Sequence, residues 1–424
     1  MAAAILFGFL FVFIIIGLPI GYGILMSGAM FINIADYNSL LLLPQRFVRG
    51  LDSFSFLAIP LFIFSGYILE SSGMSKRLVD CVTSWFGGFK GSMAIVTLIV
   101  CAIFAALTGS GPATVAAIGG LMLPAMEKTG YSKSRGAGIV AAGGALGPII
   151  PPSIPMIIYG TTMNLSIPQM FMGSIIPGVI LLFIYIIINQ IMVNKWGIHT
   201  IEQTYTTKEK FHYTWRALGV LFLPIIILGG IYGGIFTPTE AASVACVYSL
   251  ILGFATKDLD LARLWQITKK TVLTTSTILL ILGAGNLFTF LMASTGIPKA
   301  VATALLPILD VKAKFLIVLS LILFIAGALL DTPVAILLIA PILCPIGVEL
   351  GIDPLHLGIV FCINLCVGYI TPPFGMNLFT AVSTTGESFA GVVKGVFPFM
   401  IVAMIYVIIL AFLPQVTLWL PSMM

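Results

Sequence analysis

Apolar stretches of about 20 residues follow one another almost end to end, separated by short polar loops. A hydrocarbon core about 30 Å thick asks for about 20 apolar residues per helical crossing. The pattern predicts membrane helices over residues 4–17, 19–34, 56–69, 92–107, 167–193, 217–236 and 241–255. It continues with helices over 271–292, 315–330, 357–370 and 393–413. With the shorter, broken apolar segments between them, about 11 to 13 membrane elements are expected, and the fold class is all-α polytopic. Two polar interruptions, 76–89 and 258–268, place their apolar residues at helical spacing. They predict helices lying in the membrane interface, either linking moving parts or simply short amphipathic connections. The segment MAAAILFGFLFVFIIIG lacks a basic flank and is read as a first membrane helix rather than a cleaved signal.

Composition removes whole classes of function. Of the 424 residues, 59% are hydrophobic and 8% charged, against about 25% charged in soluble proteins. A soluble enzyme, a nucleic-acid binder and a disordered scaffold are excluded; membrane lipids are the expected surroundings. The net charge of +5 matters less than its placement. Lys195, Lys208, Lys210 and Arg216 fall in one loop, and Lys257, Arg263, Lys269 and Lys270 in another. These loops flank 217–255, enough for two crossings, so both lie on one side, read as cytoplasmic. Arg46 and Arg49, in LLPQRFVRGLDS, are either interfacial anchors or contacts for an anionic substrate or partner. The six cysteines sit mostly in apolar runs without metal-type spacing.

The chain repeats itself. Pro112, Pro124, Pro151 and Pro152 recur 221 positions later as Pro333, Pro345, Pro372 and Pro373, and Gly130 and Gly147 recur as Gly351 and Gly368. A fainter echo pairs SSGMSK with STGIPK. The expected organisation is a first half over 1–193, a basic cytoplasmic linker over 194–216 and a second half over 217–424. Helix breaks are expected at 108–112 and 144–155 in the first half, and at 331–333 and 368–376 in the second. Each half carries an apolar helix that stops at a small polar residue plus Pro, then a Gly/Pro-broken segment some 40 residues later. Pro removes an amide donor and Gly lets the backbone open, so carbonyls are released from helix bonding. In lipid such groups cost several kcal/mol each unless protein, water or an ion satisfies them. Broken helices at corresponding places of two repeats point to a transporter's midplane site.

Asp331 follows sixteen apolar or small residues and precedes Thr332-Pro333. An ionised Asp at bilayer depth costs about 2.5–3.5 kcal/mol on insertion scales. Two readings stand: a buried helix N-cap, or a polar contact at a substrate or cation cavity. Its repeat partner is Ser110, and Ser153 and Thr371 offer hydroxyls on the other two breaks. Glu240, two residues past Pro238, reads as a first-turn helix acid. The chain has no G-x-x-x-x-G-K-[ST], no H-E-x-x-H, scattered histidines and no Arg run. ATP hydrolysis by a P-loop, a zinc site and a voltage sensor therefore have no motif, and no redox cofactor is expected. Transport driven by an ion gradient remains.

IPLFIFSGYILESSGMSKRL, GSGPATVAAIGGLMLPAM, GGALGPIIPPSIPMIIYG, FTPTEAASVA, LLDTPVAILLIAPILCP and GYITPPFGMNLF together make the chain resemble the large membrane subunit of the tripartite ATP-independent periplasmic (TRAP) transporters. The resemblance covers essentially the whole chain. It implies an inverted repeat with re-entrant hairpins, a scaffold and an elevator-type transport domain, in the bacterial inner membrane. It also implies at least two Na⁺ sites and uptake of an organic acid delivered by a soluble periplasmic binding protein. A small four-helix membrane subunit is implied as a partner, expected here as a separate chain. Carried over, one Na⁺ site uses Gly109, Ser110, Gly144, Gly147 and Pro148, and the other Asp331, Thr332, Gly368, Thr371 and Met376. Substrate is placed between them, near Ser110, Ser153 and Asp331. Within the family the pattern is closest to the sialic-acid branch, with a C4-dicarboxylate as the other acid. The residue pattern alone also admits a self-sufficient Na⁺/dicarboxylate symporter and an ion channel.

Overall fold

The computed structural model describes residues 2–35, 39–199 and 205–424, so residues 200–204 of the expected linker lie outside the described residues. All regular elements among the described residues are helical. In the first half α1 (Ala2–Ile15) and α2 (Ile20–Ile34) form a hairpin. They are separated by Gly17, in the left-handed region at φ 84°, and by Pro19. Next come α3 (Leu42–Leu51), a 3-10 turn (Phe54–Leu57) running into α4 (Ala58–Ser71), α5 (Met74–Phe86) and α6 (Ser92–Thr108). The half closes with α7 (Gly111–Lys128), α8 (Lys133–Ala145), α9 (Ile154–Thr162) and α10 (Ile167–Trp196). The second half holds α11 (Thr207–Tyr232), α12 (Pro238–Ala255), α13 (Leu261–Ser294), α14 (Ile297–Leu305) and α15 (Lys312–Leu329). It ends with α16 (Thr332–Glu349), α17 (Pro354–Gly368), α18 (Met376–Thr385), α19 (Phe389–Ala411) and α20 (Pro414–Leu418).

Eight helical segments among the described residues are long and apolar enough to cross a membrane, and α1, α2, α6 and α17 are shorter apolar helices. The chain is an all-α polytopic membrane protein. Phe183, Ile187 and Ile191, one turn apart on α10, are each more than half exposed. An apolar stripe of that kind faces lipid rather than water. The helices gather into two groups. α13 packs on α2, α3 and α4, and α12 on α4 and α11; around the breaks, α8 packs on α6, α7, α18 and α19, and α15 on α17. α13 meets α16 across the seam between the groups.

One amphipathic segment differs from expectation. Residues 261–268 are not a separate interfacial helix but the first turns of α13. Asp260 caps it, its carboxylate accepting from the Arg263 N–H at 2.7 Å, and no Gly or Pro interrupts the sequence before Gly283. Nothing local stops the helix, so it runs 34 residues, about 51 Å at 1.5 Å per residue. The short helices that do lie beside spans are α5 and α14. Gly73 and Gly296 precede them with φ 64° and 71°. Only glycine takes that conformation without strain, which gives a backbone reason for the SSGMSK and STGIPK echo.

Candidate transport site

In the first half α6 ends on Gly109, left-handed at φ 60°, and Ser110 caps α7 by accepting from the Ala113 N–H at 3.4 Å. The Ser110 carbonyl accepts from the Thr114 hydroxyl at 2.8 Å. In the second half α15 gives way to extended Leu330, and Asp331 caps α16, its Oδ1 accepting from the Thr332 N–H at 2.8 Å. α8 stops at Ala145 and α9 resumes at Ile154; α17 stops at Gly368 and α18 resumes at Met376. The Pro151-Pro152 and Pro372-Pro373 peptide bonds inside these two gaps are both cis.

The paired breaks are packed against each other by glycine. A Cβ on Gly109 would lie 2.6 Å from the Pro152 carbonyl oxygen, and one on Gly147 would lie 2.8 Å from that of Ser110. Gly368 sits against Gly327 so closely that its Cβ would be 2.5 Å from the Gly327 Cα. A side chain at any of the three would push backbone away from backbone. The halves also interlock. Asn377, at the start of α18, donates from Nδ2 to the Ala141 carbonyl of α8 at 3.2 Å. A Cβ on Gly111 would be 2.7 Å from Asn377 Oδ1. Both Asn364 and Asn377 bury a side-chain oxygen with no hydrogen-bond partner among the described residues. Such acceptors in an interior call for an ion or a water.

A cavity of about 290 Å³ opens between the breaks and the other helix group. Gly109, Ser110 and Pro148 line it from the first half, Asp331, Tyr369 and Met376 from the second. Tyr67 of α4 and Thr274 and Thr277 of α13 form the facing wall, with Tyr67 Oη and Thr274 Oγ1 3.0 Å apart. A smaller pocket beside it shares Tyr67, Ser110 and Thr274. Tyr369 donates to Asp331 Oδ1 at 3.4 Å. No ion pair joins Asp331 to a Lys, Arg or His among the described residues.

The other residues expected from the sequence fall behind this wall. Ser153 is fully buried; its hydroxyl donates to the Pro148 carbonyl at 2.5 Å and caps α9, so it shapes the break rather than facing the cavity. Thr371 donates to the Val367 carbonyl at 3.0 Å. Gly144 lies against Gly111 and Asn377, and Thr332 is buried in the first turn of α16. Sequence reasoning passed over Tyr67, Tyr369, Thr274, Thr277, Asn364 and Asn377. The two amides had a signal, standing among apolar residues in FCINLCV and FGMNLF; the tyrosines and threonines had none. Glu240 completes a capping box with Thr237, accepting from its backbone N–H at 2.8 Å, and takes no part in the cavity.

The family model described as "Tripartite ATP-independent periplasmic transporter, DctM component" matches residues 7–416. The chain is 35% identical to the C4-dicarboxylate TRAP transporter large permease protein of Pseudomonas aeruginosa, over 94% of this chain and 93% of that one. It is 35% identical to the 2,3-diketo-L-gulonate large permease protein of Escherichia coli, over 98% of each chain. The sialic acid large permease protein of Vibrio cholerae is 32% identical, over 96% and 95%. An isethionate TRAP permease protein of Oleidesulfovibrio alaskensis is 35% identical over 98% of this chain, which spans 66% of that relative's length. Among solved structures, the Alcanivorax borkumensis YdaH transporter superposes with a TM-score of 0.62 over 89% of this chain and 87% of that one, at 12% identity.

Proposed function

Because the chain belongs to the DctM-component family of tripartite ATP-independent periplasmic transporters, we propose that it is the translocating subunit of a Na⁺-coupled importer of small organic acids. Its place in this reading is the bacterial inner membrane, beside a small four-helix subunit and fed by a soluble periplasmic binding protein. The observation that carries the reading is Asp331, a carboxylate lining the central cavity without a cationic partner among the described residues. A carboxylate at that depth is expensive when ionised, and a mobile cation arriving with the substrate offsets the cost.

Na⁺ is a hard, oxygen-seeking cation, and oxygen is what the breaks present. One ion would be held by Asp331 with Thr332, Gly368, Thr371 and Met376 contributing side-chain or backbone atoms. The other would sit at Gly109, Ser110, Gly144, Gly147 and Pro148, where only neutral groups are available. The second ion therefore keeps an uncompensated charge, suited to an acid head placed beside Ser110 and Asp331. Binding of cation and acid would then be mutually stabilising, by about 1–3 kcal/mol if typical of linked sites. The names of the relatives span a sulfonate, a C4-dicarboxylate, a keto sugar acid and sialic acid; the shared chemistry is an anionic head on a small polar body. Among these, sialic acid is the cargo to try first.

The test is uptake by the full chain with its small subunit in proteoliposomes, with and without an inward Na⁺ gradient and with and without the binding protein. Accumulation of a labelled acid only when both are present is the expected result. Accumulation indifferent to Na⁺ overturns the coupling; accumulation without the binding protein indicates a self-sufficient symporter.

A further inference from the structure

A second cavity of about 260 Å³ lies along the same seam. Its walls come from α3 (Arg49, Gly50), the Ser53–Phe56 turn, the end of α9 (Thr161) and the turn after it (Asn164), α13 (Asn286, Thr289) and α16 (Leu337). Three of these helices, α9, α13 and α16, also wall the central cavity, one or more turns away. From Thr277 to Asn286 is nine residues of one continuous helix, about 14 Å along its axis.

One stretch of wall in each cavity is related by the repeat. Adding 221 to Arg49, Gly50, Ser53 and Phe56 gives Lys270, Thr271, Thr274 and Thr277. Ser53 and Phe56 line the second cavity, and Thr274 and Thr277 the central one. Lys270, the counterpart of Arg49, does not line the central cavity but stands behind its Tyr67 wall. Its ammonium lies 4.1 Å from the centre of the Tyr67 ring and 3.3 Å from the Glu70 carboxylate. Positions 49 and 270 are thus both cationic, and the two cations differ in charge balance. Lys270 is paired. Arg49 is exposed, is the single ionisable group among the described residues that line its cavity, and makes no ion pair or side-chain hydrogen bond with a described residue.

Arg46, one turn away, is committed elsewhere, its guanidinium 3.5 Å from the centre of the Phe290 ring. Around Arg49 the lining is neutral and hydrogen-bonding. Thr161 Oγ1 is buried with no partner among the described residues, and Asn164 and Asn286 offer amides. A planar guanidinium grips a carboxylate or sulfonate through two parallel hydrogen bonds; amides and hydroxyls suit the rest of a polar acid. Gly50 makes the geometry available, since a Cβ there would run into the Asn286 side chain.

We propose that the Arg49 cavity is an outer waiting site for the anionic cargo, in series with the central cavity. This rests on the transport reading above, with the basic start of α13 in the cytoplasm and its Asn286 end toward the periplasm. Arg49 takes the acid head there before the central site receives it.

The test uses the full chain in right-side-out membrane vesicles with a reporter thiol, Asn286→Cys, and Asn164→Cys as an independent second reporter. All six native cysteines are buried, so the unsubstituted chain supplies the background. A sulfonatoethyl and a trimethylammonioethyl methanethiosulfonate are added outside, each rate normalised to that with a free thiol. The sulfonate reagent is expected to react about tenfold faster. Arg49→Gln should bring the ratio to about one, while Arg49→Lys and Arg46→Gln should keep most of the preference. Equal rates with Arg49 present, loss of preference with Arg46→Gln as well, or labelling only from the cytoplasmic face would each overturn the proposal. Labelling needs no uptake, so vesicles that show the preference but accumulate no acid count against the transport reading and not against this site.

Discussion

The two breaks that line the cavity opposite Tyr67 and Thr274 are built alike and charged differently. In the first half a left-handed Gly109 ends the helix and a hydroxyl, Ser110, starts the next; in the second an extended Leu330 ends it and a carboxylate, Asp331, starts the next. Both caps satisfy a first-turn amide, so as helix starts they are interchangeable. As neighbours of a cation they are not. A cation at Asp331 would be neutralised by the protein, whereas one beside Ser110 would keep its charge for the substrate. The comparison teaches that corresponding helix starts can keep a capping role while one side chain changes the charge they present.

The strongest way to break this asymmetry is Asp331→Asn, which keeps shape and capping and removes the charge. Apparent Na⁺ affinity, read from the Na⁺ dependence of uptake, is expected to fall about 100-fold, or about 2.8 kcal/mol. Unchanged Na⁺ dependence would reduce Asp331 to a helix cap. Next in size are the glycine contacts. Gly368→Ala sets a Cβ 2.5 Å from the Gly327 Cα and Gly147→Ala sets one 2.8 Å from the Ser110 oxygen. Overpacking of this kind costs about 1–3 kcal/mol, so melting temperatures in detergent should drop for both, more for Gly368→Ala. Ser110→Asp would make the halves alike. A second carboxylate repels an acid head, and the KM for substrate should rise about tenfold, about 1.4 kcal/mol, while Na⁺ binds more tightly; a lower KM would argue against substrate at this break. The smallest effect is expected of Tyr369→Phe, which removes one 3.4 Å hydrogen bond to Asp331. Its cost of about 0.5–1 kcal/mol should appear in Na⁺ affinity and leave the Ser110 side untouched.

Helix stops at the breaks carry local marks, whereas starts such as Thr207 of α11 and Leu261 of α13 lie about ten residues ahead of the apolar spans. Helix ends at Thr108, Ala145, Leu329 and Gly368 fall at the Gly, Pro and small polar residues that mark them in the sequence. The expected break between 268 and 271 is absent for a complementary reason. Amphipathic periodicity describes a face, and only a terminator describes an end; α13 has none there. Side-chain direction was not legible. Ser153 and Ser110 look equivalent in sequence, yet one hydroxyl turns inward to the Pro148 carbonyl while Ser110 lines the cavity.

By itself the sequence determined the membrane class, and it carried the 221-residue recurrence of Pro and Gly and the local marks of helix breaks. Each of these follows from local chemistry: apolar run length, missing amide donors and backbone freedom. Tertiary structure alone decided which atoms meet. Asn377 reaches the Ala141 carbonyl from 236 positions away, Tyr67 joins Thr274 across 207, and Arg49 comes to share a cavity with Asn164 and Asn286. Such meetings depend on how closely glycine-faced helices can pack, a property of pairs of surfaces that no single stretch of chain contains.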